Sequence, residues 1–558
     1  MAKLNILGGS GEGRSLNVNA SRSINLYPDL DADPESKAVI SLTKTPGCSM
    51  WGAVGAGPNR GQHPFNGLNF VVSGSELRSL DASKVLSPLL GTLLTVTDRV
   101  SMKDNGLLAS GIGGNQLIIV DGQAGYIYEA VAGTFTQISS PGFPLNPTHV
   151  EYIDGYFIVT NDTMAASASE LYDGTTWNAL ATTPVQSAPD NIKNLVSVYQ
   201  QLLFLKEFTA EFFYDTGTPT TSGFPFSRVS GGVLPYGIAA PWSLCRGIGS
   251  VFWLAQVWTN NTGEFIGPVI LNGAVVTPIG SPAINYRMSL WTDIVNVFAY
   301  CYSEGGHNFV VFTSPGDNQT FVYDAATQMW HERSTYTDNP YQINRHVGNS
   351  YAFFNGAHLL GDYQSGNIYQ MRSDRVTDHG LPMVCVRRTN HIFDGSELDN
   401  LFVTQLQLDV DIKVRPGTAT AVAALSGDAV LSCTVTNPGF DYVVDPQIVL
   451  VPVDGNGSGA TATAIAGGGG VQSITVTAGG SGYTQEPQVV LVDNPIKPTI
   501  GLASSTDGGD TWSNERIKVV GKRVVFNRLS KARDKVWQIR FSDPASLVLL
   551  GGYGEVDK

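Results

Sequence analysis

Short apolar and aromatic runs, separated by Gly, Asp and Asn, recur along most of the chain. The segment QLIIVDGQAGYIYEA (116–130) places two such runs around an Asp-Gly pair, and VEYIDGYFIVTND (150–162) repeats this plan around Asp154-Gly155. The segments 308–332 and 351–371 follow it as well. An Asp-Gly pair between two apolar runs favours a tight β-hairpin. The pattern therefore predicts a chain built from hairpins.

Helical periodicity is almost absent from the chain. The segment APDNIKNLVSVYQQLLFL (188–205) begins like a capped helix but continues as strand-like sequence. Strand pairs with their own turns, at intervals of a few tens of residues, are typical of propeller blades. We predict an all-β fold with a β-propeller-like body, with a set of irregular β-domains as the alternative. The repeats are too degenerate to give a blade count.

One internal repeat is clear. The segment LSCTVTNPGFDYVVDPQIVLV (431–451) aligns with QSITVTAGGSGYTQEPQVVLV (472–492) at a constant offset of 41 residues. The small-residue stretch between the copies, 455–470, is expected to be an exposed loop or an edge strand because it has little to bury. The repeat predicts a small β-module over 416–494, inserted into the main fold.

The remaining organisation follows from this insertion. Residues 1–50 are expected to form an N-terminal arm and the first strands, and 51–415 the propeller-like body. Residues 495–558 are expected to complete the main fold after the module. The glycine-rich stretch GGSGEG (8–13) predicts a flexible part of the arm.

Charge and cysteine content limit the function. Charged residues are only 15% of the chain and the net charge is −14, which argues against a protein that wraps nucleic acid but suits a surface that DNA passes without sticking. The five cysteines are scattered without CxxC spacing, so we expect neither a disulfide framework nor a zinc site. The sequence shows no signal-peptide pattern and no apolar run long enough to span a membrane, so we expect neither Sec export nor membrane insertion.

The segment SSTDGGDTWS (504–513) fits Ser-x-Asp-x-Gly-x-Thr-Trp, the pattern called an Asp-box. Its residues are Ser505, Asp507, Gly509, Thr511 and Trp512. Asp-boxes occur in sialidases and other sugar-handling propellers, but the residue types describe a hairpin in which an aspartate binds nearby amides and a Trp covers the turn. We predict a structural turn, with a sugar-handling enzyme as the alternative.

Patterns for catalysis are missing from the sequence. A glycosidase needs two suitably spaced carboxylates, and the densest acidic stretch, DLDADPE (29–35), resembles an exposed loop. The sequence contains no HExxH, GxSxG or Walker-type motif. We therefore predict no catalytic, cofactor-binding or metal site, and a protein that is not an enzyme.

A basic segment follows the Asp-box. Nine basic residues occur between 516 and 540 in this otherwise acidic chain: Arg516, Lys518, Lys522, Arg523, Arg528, Lys531, Arg533, Lys535 and Arg540. One interpretation is charges alternating on the solvated face of strands. The other is a docking surface for an acidic partner or for DNA backbone.

Several stretches, in order, resemble a known family. They are RSINLYPDLD (22–31), LTKTPGC (42–48), RGQHPFNGLNFVVSGSELRSLD (60–81), EFFYDTG (211–217), FPFSRVSGGVLPYG (224–237), FVYDAATQMWHER (321–333) and the Asp-box segment with ARDKVWQIRFSDP (532–544). Together they are similar to the packaged-DNA stabilisation, or tail nozzle, proteins of short-tailed bacteriophages. The inserted module resembles Gly-Tyr-x-x-x-Pro repeat domains that decorate phage structural proteins.

The resemblance implies a virion tail protein assembled in the host cytoplasm. Such proteins form a ring, typically of six copies, below the portal and its adaptor ring, and they close the channel after DNA packaging and reopen it for ejection. It also implies possible contacts with tail fibres, tailspikes or a tail needle, DNA passing through the lumen without sequence-specific binding, and no cofactor. We expect the inserted module to project outward, because a long insertion is most easily accommodated on an outer surface. The alternative function is a tail-associated propeller that binds or cleaves glycans.

Overall fold

The computed structural model describes residues 2–31, 33, 35–36, 38–106, 114–259, 262–335, 342–393, 401–413, 419–492, 497–521 and 523–557. Strands make up 57% of the chain and helices 2%. The chain forms two compact units. The propeller unit comprises Trp51–Gln328 and Arg345–Gln370, and the sandwich unit comprises Met1–Met50, Met329–Asn344 and Met371–Lys558.

The strands are numbered in chain order. The first five are β1 (Ala2–Leu4), β2 (Arg22–Ile24), β3 (Leu26–Leu30), β4 (Ile40–Lys44) and β5 (Gly47–Ala53). The next sixteen are β6 (Asn59–Phe65), β7 (Leu68–Ser73), β8 (Glu76–Leu80), β9 (Gly91–Thr92), β10 (Ser101–Asp104), β11 (Gln116–Val120), β12 (Gly125–Glu129), β13 (Thr134–Gln137), β14 (His149–Ile153), β15 (Tyr156–Thr160), β16 (Ala165–Glu170), β17 (Asp173–Pro184), β18 (Ile192–Val198), β19 (Gln201–Lys206), β20 (Ala210–Asp215) and β21 (Phe226–Leu234).

The chain continues with β22 (Gly237–Ile238), a 3-10 turn (Pro241–Ser243), β23 (Cys245–Gly247), β24 (Ser250–Thr259), β25 (Thr262–Asn272), β26 (Val275–Pro278), the helix α1 (Pro282–Ser289), β27 (Phe298–Glu304), β28 (His307–Ser314), β29 (Gln319–Asp324), β30 (Met329–Glu332), β31 (Gly348–Phe354), β32 (Ala357–Asp362), β33 (Asn367–Arg372), β34 (Thr377–Asp378), β35 (Leu381–Pro382), β36 (Cys385–Arg388) and β37 (Leu401–Lys413). The last twelve strands are β38 (Thr420–Ser426), β39 (Ala429–Asn437), β40 (Gln447–Val451), β41 (Ser458–Gly467), β42 (Gly470–Ser481), β43 (Gln488–Val492), β44 (Thr499–Ser505), β45 (Arg516–Val519), β46 (Val524–Asn527), β47 (Lys531–Ala532), β48 (Val536–Phe541) and β49 (Ser546–Asp557).

The propeller unit has seven consecutive groups of hydrogen-bonded strands: β6–β9, β10–β13, β14–β17, β18–β21, β22–β26, β27–β29 and β31–β33. Their innermost strands lie side by side: β6 contacts β10, β10 contacts β14, β14 contacts β18, and β23 contacts β27. The ring of Tyr300 in β27 stacks on Tyr351 in β31 at 5.2 Å, and β31 contacts β6, which closes the circle. The described residues thus form a seven-bladed propeller, and the prediction of an all-β, propeller-containing fold is confirmed.

The blades are held together by apolar cores between them. Each blade packs on a neighbour with both faces, so its central strands are buried on both sides: all five residues of Gln116–Val120 are buried. Phe70 of the first blade meets Tyr128 of the second with ring centroids 5.0 Å apart. Burial on both faces explains why the sequence shows continuous apolar runs rather than strict alternation.

The turns are set by local chemistry. Asp154-Gly155 has φ of 50° and 91° and joins β14 to β15 in a two-residue hairpin, as the Asp-Gly pair predicts. Tyr199 and Gln200 take φ of 52° and 58° in the same kind of turn. The segment 188–205 therefore contains the β18–β19 hairpin and no helix, because its apolar residues pack against both neighbouring blades.

The sandwich unit consists of two packed sheets. One has the order β3, β4, β49, β37, β46, with β1 beside β49 and β47 beside β37. The other contains β30, β2, β36, β48, β44 and β45. Leu406 and Leu549 of the first sheet share a buried core with Leu502, Trp537 and Ile539 of the second.

This arrangement differs from the expected domain limits. The segment 401–413, expected within a body of 51–415, forms β37 and pairs along its length with β49 at the end of the chain. The propeller unit ends at Gln370. The expected flexible arm is also held in place. The guanidinium of Arg387, only 2% exposed, donates to the carbonyls of Ile6 (2.7 Å), Gly8 (2.8 Å) and Gly9 (3.0 Å).

Between β37 and β44, strands β38–β43 form a closed barrel in the order β38, β39, β42, β41, β40, β43. The barrel has internal two-fold character. The N–H of Tyr442 donates to the carbonyl of Gly469 at 3.0 Å, and the N–H of Tyr483 donates to that of Asp428 at 3.0 Å. Both pairs are related by the 41-residue offset of the repeat.

The small-residue stretch 455–470 is neither a loop nor an edge strand. It contains β41, which pairs with β40 on one side and β42 on the other. Ala464 of β41 is 5% exposed and packs in the barrel core beside larger residues such as Tyr442 and Ile474. In the described part of the chain no helix is long and apolar enough to cross a membrane.

Candidate docking surfaces

The Asp-box forms a self-bonded turn between β44 and β45. The hydroxyl of Ser505 donates to Asp507 Oδ1 at 2.6 Å and accepts from the N–H of Gly509 at 2.8 Å. Asp507 Oδ1 also accepts from the N–H of Thr511 at 3.0 Å, and Oδ2 accepts from the Thr511 hydroxyl. The Trp512 ring lies against the guanidinium of Arg388 at 4.9 Å.

The carboxylate of Asp507 is committed to this turn. Hydrogen bonds from Ser505 and Thr511 hold the pKa of Asp507 well below its ordinary value, so the group is an anion at any pH near neutral. A general acid needs the opposite shift. The geometry of the five motif residues is that of a braced hairpin.

The basic segment after the Asp-box is largely exposed. Six of its side chains are exposed to solvent, and we call them the basic surface: Arg516, Lys518, Arg523, Arg528, Lys531 and Arg533. All four residues of Arg516–Val519 are exposed, so β45 is a solvated strand at the end of its sheet. Lys522 lies outside the described residues.

Two residues predicted for this surface do not belong to it. Lys535 is fully buried, and its ammonium donates to the carbonyls of Leu529 and Ser530. Burial lowers the pKa of Lys535 to about 8. Arg540 pairs with Glu515 at 3.1 Å, with a side chain only 16% exposed. Lys535 and Arg540 lie on or beside β48, which is flanked by two other strands. The charges of both side chains are therefore used in contacts within the protein.

An acidic turn lies at the opposite edge of the same unit. The end strands of the first sheet are β3 and β46. The acidic turn follows β3 and exposes Asp31, Asp33 and Glu35. Arg523 and Arg528 flank β46 at the other edge. The sandwich unit therefore carries negative charge at one sheet edge and positive charge at the other.

Hydrogen bonds and a cation–π contact join the barrel to the rest of the sandwich unit, and we call this contact the barrel seam. Asp441 Oδ1 accepts from the N–H of Val376 (3.1 Å), the N–H of Thr377 (3.2 Å) and the Thr377 hydroxyl (2.8 Å). The guanidinium of Arg375 stacks on Phe440 at 3.5 Å. Burial raises the pKa of Asp441 although the bonds from Thr377 and Val376 act against this shift.

Backbone also meets backbone at the barrel seam. A Cβ on Gly380 would lie 2.2 Å from the amide nitrogen of Gly469, so this approach requires glycine. The seam borders a cavity of about 590 Å³. Sequence reasoning missed this contact, but a signal was present. The repeat position that is Gly482 in the second copy is Asp441 in the first.

The propeller unit has a cavity of about 540 Å³ lined by residues of several blades. Two of its acidic residues, Asp121 and Asp162, form hydrogen bonds or ion pairs within the fold. Asp121 accepts from the N–H groups of Gln123 (3.0 Å) and Ala124 (2.7 Å), and Asp162 pairs with Lys193 at 2.7 Å. Burial acts to raise the pKa of Asp121, but hydrogen bonds from Ala124 and Gln123 outweigh it and leave the pKa below its ordinary value. Asp121 therefore lacks the raised pKa of a glycosidase general acid.

Residues 3–376, about two thirds of the chain, match the family model described as Bacteriophage P22 Gp10, beta-propeller. A search of curated proteins finds no match. Among solved structures, the chain is similar to the Neurospora crassa Pan2 WD40 domain, with 10% identity over 59% of this chain and 95% of that one and a TM-score of 0.37. It is also similar to the N-terminal domain of Nup159, with 12% identity over 63% of this chain and 98% of that one and a TM-score of 0.34.

The chain belongs to the P22 Gp10 family of bacteriophage proteins, and the resemblance seen in the sequence is confirmed. It is a structural protein of the phage tail, and its place is the virion. The matched region ends at residue 376, so the barrel, the Asp-box and the basic surface lie beyond it.

Proposed function

We propose that this chain forms the tail nozzle ring that closes the DNA channel after packaging and opens for genome ejection. The match of residues 3–376 to the P22 Gp10 family carries this proposal. A net charge of −14 supports it, because an acidic conduit does not retain DNA that passes through it. In this role the protein is not an enzyme and needs no cofactor, and DNA is not read by sequence.

The proposed assembly is a homo-oligomeric ring, in six copies, formed in the host cytoplasm and docked below the adaptor ring of the portal. Tail fibres, tailspikes or a tail needle attach to the completed tail. Rings arise from head-to-tail contacts, in which one patch of a subunit meets a different patch of the next. The sandwich unit has two such patches, because the acidic turn lies at the β3 edge of the first sheet and four residues of the basic surface lie on or beside β46 and β47 at its other edge: Arg523, Arg528, Lys531 and Arg533.

We assign the basic surface to contact with the acidic turn of the neighbouring copy. Opposite charges at the two edges favour the head-to-tail register and disfavour a symmetric pairing of like edges. The adaptor ring is the other partner that this surface would fit, and the experiment below separates the two.

Charge reversal tests this interface. In the double variant Lys531→Glu, Arg533→Glu we expect the ring to dissociate into smaller species in sedimentation velocity at moderate salt. Reversing the acidic turn as well, with Asp31→Lys and Asp33→Lys, should restore the ring, because the complementary charges return in exchanged positions.

Lys413→Glu is the matched control, since Lys413 is exposed on the same sheet but lies outside the basic surface. It should leave the ring intact. If the double variant forms normal rings but no longer binds the adaptor, the basic surface is the adaptor contact. If the double variant forms normal rings and also binds the adaptor, the basic surface has no docking role.

We also place the barrel on the outside of the ring, because the barrel seam fixes it through one side while its second repeat stays exposed. Imaging of rings lacking residues 419–492 should show loss of an outward projection and an unchanged lumen. Density lost from the lumen would contradict this placement.

A further inference from the structure

The propeller unit brings two cysteines together that lie 56 residues apart in the sequence. Cys245 is in β23 of the fifth blade and Cys301 is in β27 of the sixth. Their sulfur atoms are 3.0 Å apart, closer than two thiols in ordinary van der Waals contact. The other three cysteines, Cys48, Cys385 and Cys433, are buried. The absence of CxxC spacing in the sequence does not bear on this pair, since the contact depends on the closure of the propeller.

The backbone geometry supports the approach of the two sulfurs. A Cβ on Gly247, two residues after Cys245, would lie 2.8 Å from Cys301 Cβ and 3.0 Å from its sulfur. Strands β23 and β27 thus come as close as a glycine allows. A disulfide has its sulfurs about 2 Å apart, so the two sulfurs need to move about 1 Å closer to form the bond.

The two thiols differ in access. Cys301 is half-buried and lines a cavity of about 270 Å³ together with Arg246, Ser303, Asn308 and His358. Cys245 is buried and is not among the residues that line this cavity. A small oxidant entering this cavity therefore meets Cys301 first.

We propose that Cys245 and Cys301 are a disulfide-forming pair that links the fifth and sixth blades when the folded protein meets a low-molecular-weight disulfide such as glutathione disulfide. The Cys301 thiolate attacks one sulfur of the oxidant, forming a mixed disulfide and releasing one thiolate, which takes up a proton. The Cys245 thiolate then attacks the Cys301 sulfur, forming the protein disulfide and releasing the second thiolate. Two protein thiols are oxidised, and one disulfide is reduced to two thiols.

Whether the two cysteines are reduced or joined by a disulfide depends on the redox conditions around the protein. A reducing cytoplasm keeps both thiols reduced, whereas an oxidising exterior allows the bond to form. Burial raises the pKa of Cys245, so the second step should be slow at neutral pH and faster at alkaline pH. The bond would close a long loop across two blades and restrict the unfolded chain. The proposal does not depend on the nozzle function.

The test uses the full-length folded protein, reduced and then incubated with glutathione disulfide after the reductant is removed. Free thiols counted under denaturing conditions should fall from five to three. Non-reducing peptide mapping should recover a peptide joining Cys245 to Cys301, with a mass about 2 Da below the sum of the two peptides because two hydrogens are lost. The unfolding temperature of the oxidised protein should rise.

Single variants separate the two roles. Cys245→Ser should accumulate a glutathione adduct on Cys301, because the resolving thiol is gone. Cys301→Ser should acquire neither adduct nor disulfide, since Cys245 is shielded. Cys433→Ser, in the barrel, is the control and should still form the Cys245–Cys301 bond. Five free thiols after oxidation, or a disulfide that joins other cysteines, would overturn the proposal.

Discussion

Replacing Asp441 by glycine tests the barrel seam. The variant removes the acceptor for the N–H groups of Val376 and Thr377 but keeps the backbone unstrained, because Asp441 has φ of 61° and its repeat counterpart Gly482 has φ of 81°. A buried N–H without a partner costs about 1–3 kcal/mol. Two such groups, offset in part by removing a poorly solvated carboxylate, give a loss of about 3 kcal/mol for the local opening of the seam.

Hydrogen exchange of the backbone amides measures this loss of local stability directly. In the Asp441→Gly variant, the amides of Val376 and Thr377 should exchange about 100-fold faster, the factor that corresponds to about 3 kcal/mol. Asp441→Asn keeps an acceptor oxygen for the N–H groups of Val376 and Thr377, so these amides should exchange close to the wild-type rate.

Asp428→Gly is the matched control at the exposed end of the barrel. The carboxylate of Asp428 accepts from the N–H of Gly482 at 3.0 Å, far in sequence from the seam. This variant should leave the amides of residues 376 and 377 protected. Unchanged exchange in Asp441→Gly, or equal acceleration in both variants, would refute the reasoning.

Three further predictions concern the sandwich unit. Asp507→Ala should lower its unfolding temperature because the Asp-box turn loses its acceptor, whereas Asp510→Ala in the same turn should not; equal melting of both would contradict the braced-hairpin interpretation. Burial raises the pKa of Asp378 to about 6, so the folded protein holds this proton more tightly than the unfolded chain, and about 3 kcal/mol of stability present below pH 4 should be lost as the pH rises through 6. In denaturant titrations, Asp378→Asn should remove the loss of stability between pH 4 and pH 8. An unchanged difference in stability between the two pH values would contradict this prediction. Lys535→Ala should cost about 2 kcal/mol because the buried carbonyl of Leu529 and the partly buried carbonyl of Ser530 lose their donor, whereas exposed Lys531→Ala should be neutral in the same titration.

The sequence predicted the features that depend on residues close to one another along the chain. The hairpin at Asp154-Gly155 follows from two residues that accept positive φ, and the propeller follows from many such hairpins. The blade count did not follow, because the blades share a plan but few residues. The 41-residue repeat was visible in the sequence. The strand β41 was not predicted as a paired strand, because its many alanines have small side chains that bury little surface.

Features that depend on distant parts of the chain could not be predicted. The partner of β37 is β49, which lies more than a hundred residues later, so the segment 401–413 was assigned to the wrong unit. Lys535 looked like its basic neighbours, and only its place beside the central strand β48 shows that it is buried. The Cys245–Cys301 contact likewise depends on the packing of consecutive blades.

The most direct test of the nozzle function is negative-stain imaging of the purified protein, alone and mixed with the adaptor–portal complex of its phage. The account predicts a ring of six copies that docks coaxially on the adaptor and continues the DNA channel. A stable monomer that does not bind the adaptor would contradict it.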